Sequence, residues 1–340
     1  MNKEKAITSR SLIYYRLIAL WILNEAMLGG IIHGLQVPVS GLVVGSCAVV
    51  CICLIAWYVP AKGAIIKATI IVAIFKMMLS PQAPPPAYIA VFFQGLMGEL
   101  LFMPRKFYRI VCVLFAVLAL AESGLQRILI WTVVYGNDFW KAINSFLNNL
   151  TGQKELTDYS YFIITWYVMA HLVIGALIGL WTGILPQQIA FLESVRRKYK
   201  VINEPAAAIS FPRVKRRKKV RRILFIIWAA LILLYAQSYF GIGRSLLPPA
   251  ISLRILIRSV IVILSWVFIA APLLKQALNK WLQRRKTRSQ QEIQQVLEIL
   301  PATQQLITKS WQLSGEKKGW RRIRLCCKII LANTFHPADA

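Results

Sequence analysis

Eight ionisable side chains interrupt the long apolar runs of this chain: Arg16, Lys76, Arg127, Arg254 and Arg258, with Glu25, Glu99 and Glu122. At the centre of a bilayer each costs at least about 2.5–3.5 kcal/mol unless it snorkels, pairs or lines a wet cavity. Arg16, Arg254, Arg258 and Glu99 lie near the ends of their runs, where a long side chain can reach the headgroups. Lys76 and Arg127 lie in the outer parts of their runs, and Glu25 and Glu122 nearer the middle. Asn24, His33, Gln94, Gln126, Trp131, Tyr135, Tyr159, Trp166 and His171 fall at similar depth. Two cations beside one or two carboxylates suit a polar anionic or zwitterionic ligand, with a ring stacked on an aromatic side chain. The candidate solute site is therefore Lys76, Arg127, Gln94, Glu122, Trp131, Tyr159, Trp166 and His171. Structural ion pairing between helices is the competing reading, and a lone His171 also reads as a hydrogen-bonded packing residue.

Other chemistries find little here. Gly-x4-Gly-Lys-Ser/Thr, His-Glu-x-x-His and Gly-x-Ser-x-Gly are all absent, and the chain has three histidines. It is expected to be no enzyme, to hold no cofactor or metal, and to supply no ATPase of the phosphate-loop type. Cys47, Cys51, Cys53 and Cys112 fall in apolar runs and Cys326 and Cys327 in a basic tail, unlike a secreted disulfide framework.

The elements that must position these residues are membrane spans. Of 340 residues, 57% are hydrophobic and 16% charged, against roughly 25% charged in soluble domains. Apolar runs fall at 12–35, 38–59, 61–80, 87–103, 108–135, 159–187, 223–242 and 251–274, each near the length that crosses a bilayer. The reading is an all-α polytopic membrane protein of about eight transmembrane helices. A six-helix membrane domain (1–200), a basic linker (201–222), two further spans (223–274) and a basic amphipathic helical tail (275–340) follow one another. With the N-terminus inside, the inner connections up to residue 222 carry 20 Lys and Arg and the outer ones 3, with 13 more in the tail. This bias predicts a multi-pass membrane protein with both termini cytoplasmic, and a bacterial plasma (inner) membrane is the expected location. The net charge of +28 thus points to topology and to anionic lipids at the linker and tail, not to nucleic acid.

Three further stretches stand out. Gly175-x-x-x-Gly179-x-x-x-Gly183, and more weakly Ala26-x-x-x-Gly30, let another helix approach closely. Each serves either packing within the chain or docking of a partner membrane protein. The 136–158 connection has helical spacing with aromatics and reads as either a lid or a surface helix. The apolar faces of the tail, Ile293, Val296, Leu297, Leu300, Leu306, Ile307 and Trp311, then Trp320 to Leu331, need a membrane surface or another protein.

The segment from Ala73 to Glu99, with Lys76, Ser80-Pro81, the proline run 84–86 and Gln94-Gly95-Leu96, resembles the substrate-binding S component of energy-coupling-factor vitamin transporters. Residues 1–200 match such a component in size and topology. The resemblance implies a vitamin-like solute bound near the outer face, with a membrane T component and two cytoplasmic ATPases as partners. Residues 223–340 resemble part of a T component without its Ala-Arg-Gly triplets, and either replace or bind one. A non-transporting membrane scaffold that recruits partners through its basic tail is the alternative.

Overall fold

In the computed structural model, residues 2–29, 40–80, 83–104, 106–151, 158–201, 229, 233 and 249–335 are described. Among them no strand occurs, and the chain is an all-α polytopic membrane protein. The helices are α1 (Asn2–Leu23, continued by a π turn Asn24–Leu28), α2 (Ser40–Tyr58), α3 (Ala64–Leu79), α4 (Pro85–Phe102), α5 (Tyr108–Tyr135), α6 (Asn137–Thr151) and α7 (Tyr159–Ile184). There follow α8 (Ile189–Lys198), α9 (Pro249–Ser265), α10 (Ala271–Arg288), α11 (Gln290–Leu313) and α12 (Gly319–Phe335).

Among the described residues five stretches are long and apolar enough to cross a membrane: Gly41–Tyr58, Pro85–Phe102, Tyr108–Tyr135, Tyr159–Gln188 and Ile251–Thr287. α3, with 16 residues, rises only about 24 Å at 1.5 Å per residue. The apolar part of α1 from Leu12 to Leu28 is similarly short. Of the span expected at 223–242 only residues 229 and 233 are described, and the basic linker from 202, His33 and Gly30 lie outside the described residues.

Helices α1 to α5 and α7 surround a core led by Leu17, Trp21, Ile52, Ile71, Phe75 and Phe115, all fully buried. α5 and α7 form the most extensive pair. The glycine stripe explains their approach. A Cβ on Gly175, Gly179 or Gly183 would lie 2.9, 2.5 or 3.2 Å from the Cα of Val117, Val113 or Arg109. The surface that could have received a partner protein is thus occupied by the chain's own α5.

One helical column continues from Pro249 through a π turn, Trp266–Ala270, to Arg288, passing position 274 without a break. Near its start Arg254 meets Asp138 of α6 at 3.4 Å, and Arg258 donates to Val133 O at the end of α5. Towards its finish, Trp281 packs edge-on against Phe92 of α4.

The tail is seated on the membrane domain. Ile293, Val296 and Leu300 of α11 and Leu331 and Phe335 of α12 join the same core cluster as α1 to α5. Lys67 pairs with Glu292 at 2.5 Å, and the Phe335 ring stacks on Tyr58. Asn333 ties three segments: its amide donates to Tyr199 O, its Oδ1 accepts from Val201 N, and its backbone oxygen accepts from Arg16. Burial raises the Cys326 thiol to about 11, which keeps it protonated and unreactive. Much of the apolar surface expected to need a membrane or a second protein is covered from within.

Candidate functional site

The bundle has a basic end, where α2 stops, α3 and α5 start and α7 stops, and an opposite end, where α6 lies between the finish of α5 and the start of α7. The deep polar residues gather towards the opposite end. Glu25 and Asn24 sit in the π turn of α1, an irregularity often found at functional positions.

Lys76 Nζ lies 2.6 Å from Glu25 Oε2, and both side chains are 6% exposed. The same ammonium donates to Ala87 O at 3.0 Å and sits 5.7 Å from the Tyr88 ring centre. Lys76 therefore joins α1, α3 and α4. Arg127 belongs to a different side. Gly124, Arg127 and Trp131 share one face of α5 by helical spacing. Gly124 abuts the His171 ring, and Trp131 lies 6.4 Å from Tyr167, so this face is turned to α7. The structure thus sets Lys76 against α1 and Arg127 towards α7, and the expected pairing of two cations on one ligand is not formed.

Gln94 and Asn24 each lie against α2, at the neighbouring residues Gly45 and Val44. Asn24 Nδ2 donates to Val44 O at 2.9 Å, and a Cβ on Gly45 would lie 3.4 Å from Gln94 Nε2. Gly41 and Gly45 leave room on this face of α2: a Cβ at Gly41 would meet Ser123 Oγ and one at Gly45 the Leu120 side chain. Glu122 is half-buried on α5, one turn before Gln126, whose amide donates to Pro86 O at 3.1 Å. By that spacing Glu122 lies on the α4 side of α5.

The buried Asn24 Oδ1, Gln94 Oε1 and Glu122 Oε2, and the Trp21 Nε1 donor, have no hydrogen-bond partner among the described residues. Such atoms are costly in an apolar interior, so each calls for a ligand, water or strain to explain it.

The remaining candidates have plainer roles. His171 is 3% exposed, its Nδ1 is 2.9 Å from Tyr167 O, and its ring lies 4.5 Å from that of Tyr167. Trp131 belongs to an aromatic group with Phe139, Trp140 and Tyr167. The Tyr159 hydroxyl lies 3.4 Å from Thr151 Oγ1 at the junction of α6 and α7. Trp166 is 64% exposed and packs on Phe162, on the outer surface of α7. Ala26 contributes its carbonyl to Ser80 Oγ.

α6 is held in place. Trp140 Nε1 donates to Thr132 Oγ1 at 3.0 Å, Asn144 Nδ2 donates to Asp158, and Asn144 Oδ1 accepts from Ser160 N. It is fixed against the end of α5 and the start of α7.

Spacing gave no hint of what Glu99 does. Its two oxygens accept the N–H groups of Gly63, Ile65 and Ile66 at 2.6, 3.2 and 3.4 Å. α3 begins after Gly63 in the left-handed conformation and has no side-chain cap of its own. A carboxylate from the next helix supplies it, where the helix dipole favours negative charge. Only the pairing of α3 with α4 reveals this.

Comparison with protein-family models, with curated proteins and with solved structures finds no match for this chain.

Proposed function

We propose that this chain is a membrane transport component that binds a small, vitamin-like polar solute at the polar layer of Asn24, Gln94 and Glu122. The observation supporting this is the group of buried side-chain oxygens of Asn24, Gln94 and Glu122 without protein partners, on three helices around α2. A solute with several hydrogen-bond donors, one of them cationic, would satisfy them, and Trp21 Nε1 could donate to an acceptor on it. Lys76 is then a structural partner of Glu25 rather than a ligand contact.

In this reading the chain catalyses nothing itself. Its basic end faces the cytoplasm of a bacterial plasma membrane, both termini lie there, and a T component with separate ATPases drives uptake. The resemblance of residues 73–99 to S components and the loop charge bias support that assignment. Reporter fusions after residues 150 and 340 should read external and cytoplasmic; an external C-terminus would overturn it.

The deciding experiment is mass spectrometry of small molecules co-purifying with the detergent-solubilised chain, then titration of the identified solute. Glu122→Gln and Gln94→Ala should each weaken binding about ten- to a hundredfold, the effect of removing a hydrogen bond to a charged or buried group. Wild-type affinity in both variants would remove the solute from this layer.

The scaffold reading draws on one observation. Trp320 is 76% exposed amid Lys317, Lys318, Arg321 and Arg324 at the turn between α11 and α12. Absence of any bound solute, with partner proteins lost on Trp320→Ala, would favour it.

A further inference from the structure

At the basic end a hollow of about 320 Å³ opens between the finish of α2, the start of α5 and the finish of α7. Its walls include Trp57, Phe107, Tyr108 and Ile110, with Arg109 and Gln187 at the polar edge, and no Asp or Glu lines it. Three independent observations converge there.

The first is depth. Tyr58, Tyr108 and Ile184 are the terminal residues of three membrane-crossing helices, so the hollow lies on their lateral surface at headgroup level. Trp57 and Tyr108, with rings 4.8 Å apart, are residues that favour this level.

The second is backbone strain. Phe107 has φ 54° and ψ 44°, the left-handed conformation that bulky L-residues avoid, and among the described residues no other non-glycine has a positive φ. Its side chain is 74% exposed, so burial of the ring does not compensate for the strain. Such strain is characteristic of functional positions.

The third is charge. Arg109 is exposed, and its guanidinium donates to Gln187 Oε1, which orients it; the neighbouring Lys106 is exposed as well. An apolar trough ending in an oriented guanidinium complements an apolar chain ending in a phosphate.

We propose that this hollow binds one anionic phospholipid, with an acyl chain along Trp57, Phe107 and Ile110 and the phosphate on Arg109. The site is separate from the polar layer of Asn24, Gln94 and Glu122 and does not depend on the transport reading.

The test uses the full-length protein, delipidated in detergent and titrated with phosphatidylglycerol or phosphatidylcholine, with native mass spectrometry counting bound lipid. One phosphatidylglycerol should be retained in preference to phosphatidylcholine. Arg109→Gln should weaken that retention about tenfold, with Arg109→Lys between it and wild type. Phe107→Gly removes the ring while relaxing the backbone, so it should weaken retention without lowering the melting temperature. That variant keeps the test open even if Arg109→Gln folds poorly. Equal retention of the two lipids, unchanged retention in both Arg109→Gln and Phe107→Gly, or displacement of the lipid by inorganic phosphate would overturn the proposal.

Discussion

The two ends of the bundle treat buried polar groups differently. At the basic end several are consumed by structure, although Gln305 Oε1, Ser310 Oγ and Arg322 Nε of the tail also lack partners among the described residues. Glu99 caps α3, Tyr14 donates to Ala64 O, Tyr108 donates to Cys53 O, and Arg16 and Asn333 clamp the tail to α1. At the opposite end Lys76 and Glu25 are matched, yet the oxygens of Asn24, Gln94 and Glu122 close by in sequence or packing are not. Satisfied groups in low dielectric hold helices in register, whereas unsatisfied ones cost stability unless something else binds them. Within the membrane-spanning helices, the difference marks Asn24, Gln94 and Glu122 as unused hydrogen-bonding capacity beside groups that hold the bundle together.

The comparison can be broken most severely at the matched pair. Glu25→Ala leaves the Lys76 ammonium buried without its carboxylate and should cost about 3–5 kcal/mol, read as a fall in melting temperature in detergent. The double variant Glu25→Ala, Lys76→Met should recover most of that loss. Equal stability of the single variant and wild type would mean that water reaches this pair.

A Leu at Gly179 would drive into the α5 backbone, where even a Cβ lies 2.5 Å from Val113 Cα. Gly179→Leu should therefore destabilise the chain by about 3 kcal/mol, the upper range of overpacking. Loss of a partner protein with an unchanged melting temperature would contradict the observed helix pairing.

Glu99→Ala removes the acceptor of three backbone N–H groups and should cost about 1–2 kcal/mol. Hydrogen exchange should rise at residues 63–66, while exchange in α7 stays unchanged. A uniform rise across the bundle would show that the cap is not local.

The smallest effect, and the sharpest, concerns Gln94. Gln94→Leu deletes an unpartnered buried oxygen and should leave stability unchanged or raise it by about 1 kcal/mol, while lowering solute binding. A destabilised variant would mean that Gln94 is satisfied in the folded protein, and the distinction between the two ends would fail.

What could be read from residues alone was largely what hydropathy and periodicity carry. The all-α membrane class and the apolar runs at 38–59, 87–103, 108–135 and 159–187, which form helices over 40–58, 85–102, 108–135 and 159–184, follow from one-dimensional patterns, as does a glycine face that another helix can approach closely. The eight charges were legible as exceptions, because a charge in an apolar run is conspicuous whatever the fold. Arg254 and Arg258 were expected to reach the headgroups. The structure gives them Asp138 and the Val133 carbonyl as partners. Which charge meets which partner was not legible. Lys76 and Glu25 are 51 positions apart, and Glu99 reaches the start of α3 from 33 to 36 positions away.

The sequence by itself determined that apolar segments must bury their backbone groups as helices in a bilayer, since each residue carries that requirement locally. Only the tertiary structure decided that α5 covers Gly179, that α1 covers α11, and that Lys76 turns to α1 while Arg127 turns to α7. The physical reason is that helical periodicity sets the face on which a side chain emerges, but not the neighbour it meets. That neighbour depends on the rotation and order of every helix in the bundle, a property of the packed whole rather than of any segment.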